Sequence, residues 1–323
     1  MKACTRREWL AGTATAALTG CRKVPPAEPS PVWILRAKHY SQDLYDLVRR
    51  LLAEQGLPLR GRRVVLKPNL VEFDERTTIN THPLLVHAVL EAVLALGAAE
   101  VRIAEGPGHR RNTWELAEAA GYFATVPGFE RRFTDLNVDE VVSVALERPR
   151  SKLRRIYLPR TALDCDLLIS LPKMKTHHWV GATLSMKNLF GLVPGAIYGW
   201  PKNILHWAGI AECIADLHRL FTRPGGRPQL FALVDGIVGM EGDGPIHGKP
   251  KPAGVLVAGS DLVAVDAACC RIMRIEPRRI PYLVLEARPG ALRWEAVREM
   301  GERIRSVETP FELIPQLRSL RLS

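Results

Sequence analysis

The stretch that decides the fold is Asp166–His177, with the sequence DLLISLPKMKTH. An apolar run of strand length is followed here by Pro172 and then by basic residues. A continuous apolar run bounded by a turn residue is typical of a strand that is buried on both faces. Such strands occur in parallel sheets that helices cover on both sides. The stretch therefore predicts an α/β fold with a central strand that leads into a polar segment.

Outward from this stretch, the chain alternates between short apolar strands and helices. The predicted strands are Val32–Ala37, Arg63–Lys67, Val101–Ala104, Gln229–Val234 and Gly254–Ala258. The predicted helices are Ser41–Glu54, Pro83–Leu96, one opened by Asn112, Asn203–Leu220 and Asp261–Met273. We expect the last forty residues to be helical, with a short final strand near Phe311–Ile314. The alternation predicts one large α/β domain over residues 32–323, with a largely parallel sheet and helices on both faces.

The first twenty-one residues match an export signal. Thr5–Leu10, TRREWL, fits the twin-arginine pattern, and Ala11–Leu18 is a weakly apolar stretch too short to span a bilayer. Leu18–Cys21, LTGC, has the form of a lipobox, in which Cys21 would carry the lipid. We therefore expect the twin-arginine machinery to export the protein to the periplasmic or extracellular face of a membrane. The alternative is an N-terminus that matches both patterns by chance.

The residues that follow predict how the protein is held at the membrane. Residues 22–31 contain four prolines and form a short, stiff tether. No later run of eighteen apolar residues occurs in the sequence, so the lipid is the only membrane attachment that we expect. Cys165, Cys213, Cys269 and Cys270 have no CxxC spacing, which argues against an iron–sulfur cluster or a zinc ribbon.

The charge pattern favours a small anionic partner over nucleic acid. The formal net charge is +11, but the basic residues are spread along the chain and no aromatic-plus-basic binding motif accompanies them. Lysine is scarce, since only 11 of the 45 basic residues are lysines. Four of them, at positions 67, 173, 175 and 187, lie in segments rich in Gly, Pro or His. An amine is required there if it must lose a proton or form a covalent adduct, which arginine cannot do.

Titratable residues follow four of the predicted strands. They lie in Lys67–Asn69, in Glu105–Arg110, in Pro172–His178, and in Asp235–Gly236 with the loop up to Pro245. In parallel sheets, ligands bind beyond the carboxyl ends of the strands. The sequence therefore predicts that these segments share one cleft.

The densest group is Lys173, Lys175, His177, His178 and Lys187, five basic residues within fifteen positions. Packed together they would repel one another unless an anion lies between them, which predicts a pocket for a carboxylate or phosphate. Lysine and histidine also transfer protons near neutral pH. The alternative is a solvated basic loop, against which the interleaved apolar residues argue.

Two further patterns each allow two predictions. Gly106–His109, GPGH, could bring backbone N–H groups to an anion or simply form a tight turn. Asp235, Glu241 and Asp243 could bind a hard cation such as Mg²⁺, or act as turn and cap residues. His206, on the long predicted helix, is expected to be a packing residue.

Over most of residues 32–275 the chain resembles the domain of unknown function 362 family. The segments that carry the resemblance are Lys67–Asn69, Thr81–Pro83, Pro172–His177, Ser185–Gly191, Asp235–Gly236 and Met240–Pro245. The family has no settled biochemical activity. Many of its members add a ferredoxin-like cysteine cluster, which this sequence lacks, so the resemblance does not extend to iron–sulfur chemistry.

A more distant resemblance links the chain to the N-terminal half of the nickel-pincer lactate racemases. It rests on Thr81–Pro83, Gly108–Arg110, His177, Lys187 and Pro194–Gly195. The resemblance implies that Lys187 attaches a covalent pyridinium-type cofactor that holds nickel, and that His109 and His177 form the acid/base pair. The chain departs from that family at Ala182–Met186, where the family has a glycine-rich stretch.

Together these patterns predict an exported, enzyme-like protein with an anion-binding cleft. The expected reaction is hydride or proton transfer, of oxidoreductase or racemase type, on a small carboxylated or phosphorylated molecule. The residues expected to bind the substrate are Lys67, Asn69, His82, Lys173 and Lys175. The residues expected to carry the chemistry are His109, His177 and Lys187. The alternative is a non-catalytic solute-binding or accessory lipoprotein that uses the same cleft.

Overall fold

The computed structural model describes residues 28–108 and 111–322. The predicted export signal, Cys21 and most of the tether lie outside these residues, as does His109. Within the described residues, no helix is both long and apolar enough to cross a membrane.

The described chain contains twelve strands. They are β1 (Ser30–Arg36), β2 (Arg63–Pro68), β3 (Glu100–Glu105), β4 (Phe133–Asp135), β5 (Val141–Ala145), β6 (Arg155–Pro159), β7 (Leu167–Leu171), β8 (Lys173–His177), β9 (Gly181–Thr183), β10 (Gln229–Glu241), β11 (Lys249–Gly259) and β12 (Val297–Gly301). Ten of them form one sheet, in which eight lie in the order β12-β1-β11-β10-β7-β2-β3-β4. Strand β8 pairs with β10 and β9, and β5 pairs separately with β6.

The helices connect and cover the strands. They are α1 (Leu44–Glu54), α2 (Pro83–Ala95), α3 (Thr113–Ala119), α4 (Tyr122–Thr125), α5 (Phe129–Arg132), α6 (Arg160–Asp164), α7 (Ser185–Asn188), α8 (Gly195–Tyr198), α9 (Asn203–Thr222), α10 (Leu262–Ile272) and α11 (Pro281–Glu286). Asn112 begins α3 as expected, because its side chain accepts hydrogen bonds from the N–H groups of Trp114 and Glu115.

The α/β prediction is confirmed at the centre of the sheet. Strand β7 is buried at every position and runs parallel to both β2 and β10. Leu168 belongs to one apolar cluster, whereas Leu167 and Ile169 belong to another. Neighbouring side chains of a strand point to opposite faces, so helices pack on both sides of this sheet. The antiparallel pairs β1–β11 and β10–β11 make the sheet mixed at one side.

Strands β10 and β11 are longer than the sequence indicates. Asp235 and Gly236 were expected in a loop, but both lie inside β10, which pairs with β11 from Ala232 as far as Glu241. The pairing shifts register between Gly236 and Val238. A bulge of this kind lets a strand tolerate glycines that, in the sequence, look like the start of a loop.

The C-terminal prediction is wrong. Only short 3-10 turns and β12 occur after α11, and Phe311–Ile314 forms no strand. Pro310 and Pro315 have no N–H to donate, which disfavours a helix interior here. Phe311 is buried, and its N–H donates to the carbonyl of Met273 just beyond α10. The segment is therefore held by packing and single hydrogen bonds.

Candidate functional site

A cavity of about 320 Å³ lies beyond the carboxyl ends of β2 and β3, against β8, α7 and the start of α9. Its lining includes three lysines, Lys175, Lys187 and Lys202. Four histidines also line it: His177, His178, His206 and His247. Glu105 is the only carboxylate in the described lining. The cavity is therefore where the predicted cleft forms, and it has a strong excess of basic groups.

Lys67 does not line this cavity, because it belongs to a buried ion pair behind it. Its amine contacts the Glu105 carboxylate and also donates to the carbonyl of Pro68 at 2.9 Å and to Asn188 Oδ1 at 3.2 Å. Glu105 accepts further hydrogen bonds from the N–H groups of Leu70 and Gly106. Burial lowers the pKa of Lys67, although Glu105 opposes the shift. Lys67, which the sequence predicted to bind a substrate anion, is therefore already paired with a carboxylate of the protein.

A second closed network holds Lys173, Asp235 and His82. The Lys173 amine lies 2.6 Å from Asp235 Oδ2 and 2.9 Å from the Tyr40 hydroxyl, and both charged side chains are fully buried. Asp235 also accepts the N–H of His82, whose ring stacks on Tyr40 with centroids 3.7 Å apart. Burial lowers the pKa of His82 to about 4. The cavity lining includes none of these residues, so Lys173 and His82 are not brought to the predicted cleft.

Lys175 is a fully buried lysine that lines the cavity. It lies two residues beyond Lys173 on β8 and donates to the carbonyls of Ile79 at 2.9 Å and Pro245 at 3.2 Å. Throughout the described chain, no carboxylate pairs with it. Burial, followed by repulsion from Lys187, holds the pKa of Lys175 well below its usual value. An anion in the cavity would compensate this charge.

Lys187 points into the same cavity from α7. Its amine lies 4.3 Å from the centre of the Phe190 ring. Burial and the charge of Lys67 lower the pKa of Lys187 to about 8. The buried carboxylate of Asp266 fixes the helix, because it accepts the N–H of Ser185 at 2.8 Å and that of Met186 at 3.1 Å. The position of this amine is thus set by a residue of α10.

Lys202 is a cavity residue that the sequence analysis missed. It precedes α9 in the left-handed region, with φ of +65°, and its amine donates to the carbonyls of Gly106 at 2.7 Å and Phe190 at 2.9 Å. Burial lowers the pKa of Lys202 to about 7. The signal that could have found it is the one that singled out four other lysines. Lysine is scarce in this chain, and Lys202 also lies in a segment rich in Gly and Pro, directly after Gly-Trp-Pro.

His177 is buried at the end of β8 and lines the cavity. Its Nδ1 accepts the N–H of Trp179 at 3.1 Å, so a neutral ring carries its proton on Nε2. Burial, followed by the charge of Lys187, holds the pKa of His177 well below its usual value. His177 is therefore a neutral hydrogen-bond donor near pH 7. His206 packs against Trp179, with ring centroids 4.9 Å apart, and it also lines the cavity.

Two buried polar atoms in the lining have no partner among the described residues. They are Asn69 Oδ1 and Thr183 Oγ, on side chains that are 7 % and 4 % exposed. A buried polar atom left without a hydrogen bond costs about 1–3 kcal/mol. Both residues line the cavity, which has room for a hydrogen-bonding partner. Asn69, a predicted substrate ligand, is thus a lining residue.

The three carboxylates suggested for a cation are engaged separately. Asp235 pairs with Lys173, Glu241 with Lys251 at 3.1 Å, and Asp243 with His178 at 3.3 Å. Nowhere in residues 28–108 and 111–322 do three or more His, Cys, Asp or Glu side chains form a group that could hold a metal ion. The predicted Mg²⁺ ligands are therefore not assembled into a site.

Comparisons with known proteins place this fold among relatives. Over 273 residues the chain is 31 % identical to the thylakoid-associated protein sll1697 of Synechocystis sp., with 80 % of this chain and 79 % of the relative covered. A structure from Thermotoga maritima is 16 % identical with a TM-score of 0.38, covering 73 % of this chain and 59 % of that one. The lactate racemase apoprotein from Thermoanaerobacterium thermosaccharolyticum is 14 % identical with a TM-score of 0.45, covering 76 % and 57 %.

This chain spans less than two thirds of the length of either solved chain. The family described as domain of unknown function (DUF362) matches residues 64–271, which include the buried strand β7, both lysines of β8 and Lys187. This match covers more than half of the sequence. The chain therefore belongs to the DUF362 family.

Proposed function

We propose that the cavity binds a small carboxylated or phosphorylated molecule, that Lys187 transfers a proton on it, and that His177 assists by donating a hydrogen bond. The observation that carries the proposal is the meeting of the Lys175 and Lys187 amines in one cavity with no carboxylate partner in the described lining other than Glu105, which Lys67 already neutralises. A bound anion supplies the missing negative charge and gives the two amines a partner.

The electrostatics support a division of roles between the two groups. An amine with a pKa of about 8 is partly deprotonated near neutral pH, so Lys187 can accept a proton from a bound molecule or attack it. The neutral ring of His177 donates a hydrogen bond from Nε2 and can stabilise negative charge that develops on a substrate oxygen. Lys175 then holds the anionic group.

Lys187 also fits the attachment of a pyridinium-type cofactor. Because its pKa is lowered to about 8, part of the amine is unprotonated near neutral pH, and Lys187 lines the cavity together with four histidines. Bound there, such a group would supply an acceptor for hydride. The chain's own part would be to hold the group through Lys187 and to shield it from water with the buried Phe190.

The proposal predicts how Lys187 reacts with trinitrobenzenesulfonate, an amine reagent. Modification should rise as pH increases through about 8, where the amine loses its proton, and should follow a lower pH midpoint than that of a solvated lysine, near 10.4. Inorganic phosphate should slow the reaction, because a bound anion favours the protonated amine. Peptide mass spectrometry measures each lysine separately, with exposed Lys38 as the internal reference.

Two results would count against this assignment. If Lys187 reacts in parallel with Lys38 at every pH, the amine is not perturbed and proton transfer fails, which leaves the non-catalytic solute-binding alternative. If phosphate, acetate and benzoate all leave Lys187 reactivity unchanged, the cavity does not bind small anions.

We further propose that residues 1–21 export the protein through the twin-arginine machinery and anchor it by lipid at Cys21. Lys replacement of Arg6 and Arg7 should leave uncleaved precursor in the cytoplasm, because the export receptor reads the arginine pair. Cys21→Ala should abolish lipid incorporation while leaving the arginines intact. Fractionation with metabolic lipid labelling measures both. Normal membrane delivery of the arginine variant, or labelled lipid on the Cys21 variant, contradicts the respective assignment.

A further inference from the structure

A row of three rings leads from the surface into the cavity. The Trp179 ring lies 4.9 Å from that of His206, and the His206 ring lies 5.6 Å from that of Phe190. Trp179 is 59 % exposed at the mouth, whereas Phe190 is 5 % exposed inside. Aromatic side chains in such a row offer faces and edges on which a flat ring can stack.

The basic groups begin where the ring row ends. The Lys187 amine lies 4.3 Å from the centre of the Phe190 ring, and the Lys202 amine donates a hydrogen bond to the Phe190 carbonyl. A single molecule that contacts the amines can therefore also contact the rings. Its anionic end must lie inside, because the lysines of the described lining are Lys175 and Lys202, which are buried, and Lys187, which is half-buried.

The size of the cavity points to more than an isolated anion. Its volume of about 320 Å³ is within the range of pockets that enclose whole organic ligands, roughly 300–1,000 Å³. A free phosphate or acetate would leave most of this space, including the ring row, unfilled. Pro201 and Ile246 add apolar surface to the lining.

We propose that the anion accepted by this cavity carries an aromatic ring. The ring lies along Trp179, His206 and Phe190, and its carboxylate or phosphate meets the amines of Lys175 and Lys187. This inference rests on the proposed anion-binding function and names the class of molecule that the same site takes.

The test compares anions that differ only in the ring. Isothermal titration calorimetry measures the affinities of phenyl phosphate and inorganic phosphate, and of benzoate and acetate, for the full chain. The aromatic member of at least one pair should bind about tenfold or more tightly than its simple anion, because ring stacking and burial add to the charge contact. Cyclohexyl phosphate, similar in size but without a π face, should bind more weakly than phenyl phosphate.

Matched variants locate the ring. Trp179→Ala should remove most of the advantage of phenyl phosphate while leaving the affinity for inorganic phosphate unchanged. Trp207→Ala is the control, since Trp207 follows His206 on α9, is 74 % exposed and does not line the cavity. Both side chains are exposed, so neither variant threatens the core.

The outcomes separate this inference from the function on which it rests. If inorganic phosphate and acetate bind but their aromatic counterparts bind no tighter, the ring proposal is wrong and anion binding stands. If the ring advantage survives in Trp179→Ala, or is lost equally in Trp207→Ala, the ring does not lie on the row. If none of the anions binds, both proposals fail.

Discussion

Glu105→Gln should lower the free energy of unfolding by about 3–5 kcal/mol, because it leaves the buried Lys67 amine without its carboxylate. Both side chains are almost fully buried, so water cannot replace the lost charge. The remaining contacts of Lys67, to Pro68 and Asn188, are hydrogen bonds without a counter-charge. Urea denaturation followed by tryptophan fluorescence measures the change.

The matched control for this variant lies on the same strand. Glu100 begins β3, and its carboxylate pairs with Arg102 at 2.7 Å, with both side chains 47 % exposed. Glu100→Gln should change stability little, because solvent screens an exposed pair. Equal losses in the two variants would show that the Lys67–Glu105 pair contributes nothing beyond a surface contact.

Asp235→Asn should have an effect of similar size, about 3–5 kcal/mol, since it breaks the second buried ion pair. The carboxylate accepts from the Lys173 amine, the Tyr40 hydroxyl and the N–H of His82, and an amide can satisfy only part of this set. The network that orients the start of α2 is thereby weakened. The same denaturation experiment measures it.

The control and the functional readout distinguish Asp235 from the cavity residues. Asp243→Asn, at an exposed carboxylate that contacts His178, should leave stability nearly unchanged. Asp235→Asn should also keep the affinity for phosphate, because neither Asp235 nor Lys173 lines the cavity. A folded Asp235→Asn protein that no longer binds an anion held by the native chain would mean that the two networks are coupled.

The central sheet was predictable because its strands carry their own signal. Strand β7 is an uninterrupted apolar run, which is required of a strand covered on both faces, and β2 and β3 have the same character. The extension of β10 past Gly236 was not predictable, because it depends on pairing with β11 across a bulge. The local sequence of the glycine-rich segment after Val234 does not indicate that a partner strand lies beside it.

The residue types of the site were predictable, but not which lysines would pair with carboxylates and which would line the cavity. The sequence predicted that lysines and histidines gather beyond the strand carboxyl ends, yet it treated Lys67, Lys173 and Lys175 as equivalent. Lys67 and Lys173 acquire carboxylates 38 and 62 positions away, because sheet order decides which strand ends become neighbours. Lys175 acquires none in the described chain. That difference arises in tertiary structure alone.

The placement of β1 has a consequence for the order in which the sheet is completed. β1 lies between β11 and β12, so its partners Val255–Ala258 and Val297–Gly301 come more than two hundred residues later in the chain. Contacts so distant in sequence form slowly, because the entropy cost of closing a long loop comes before the stabilisation from strand pairing. During synthesis, this first described strand has no partner until nearly the whole chain has been made. Its exposed edges are then open to chaperones or to wrong pairing, so the last strands govern how long the nascent protein stays vulnerable.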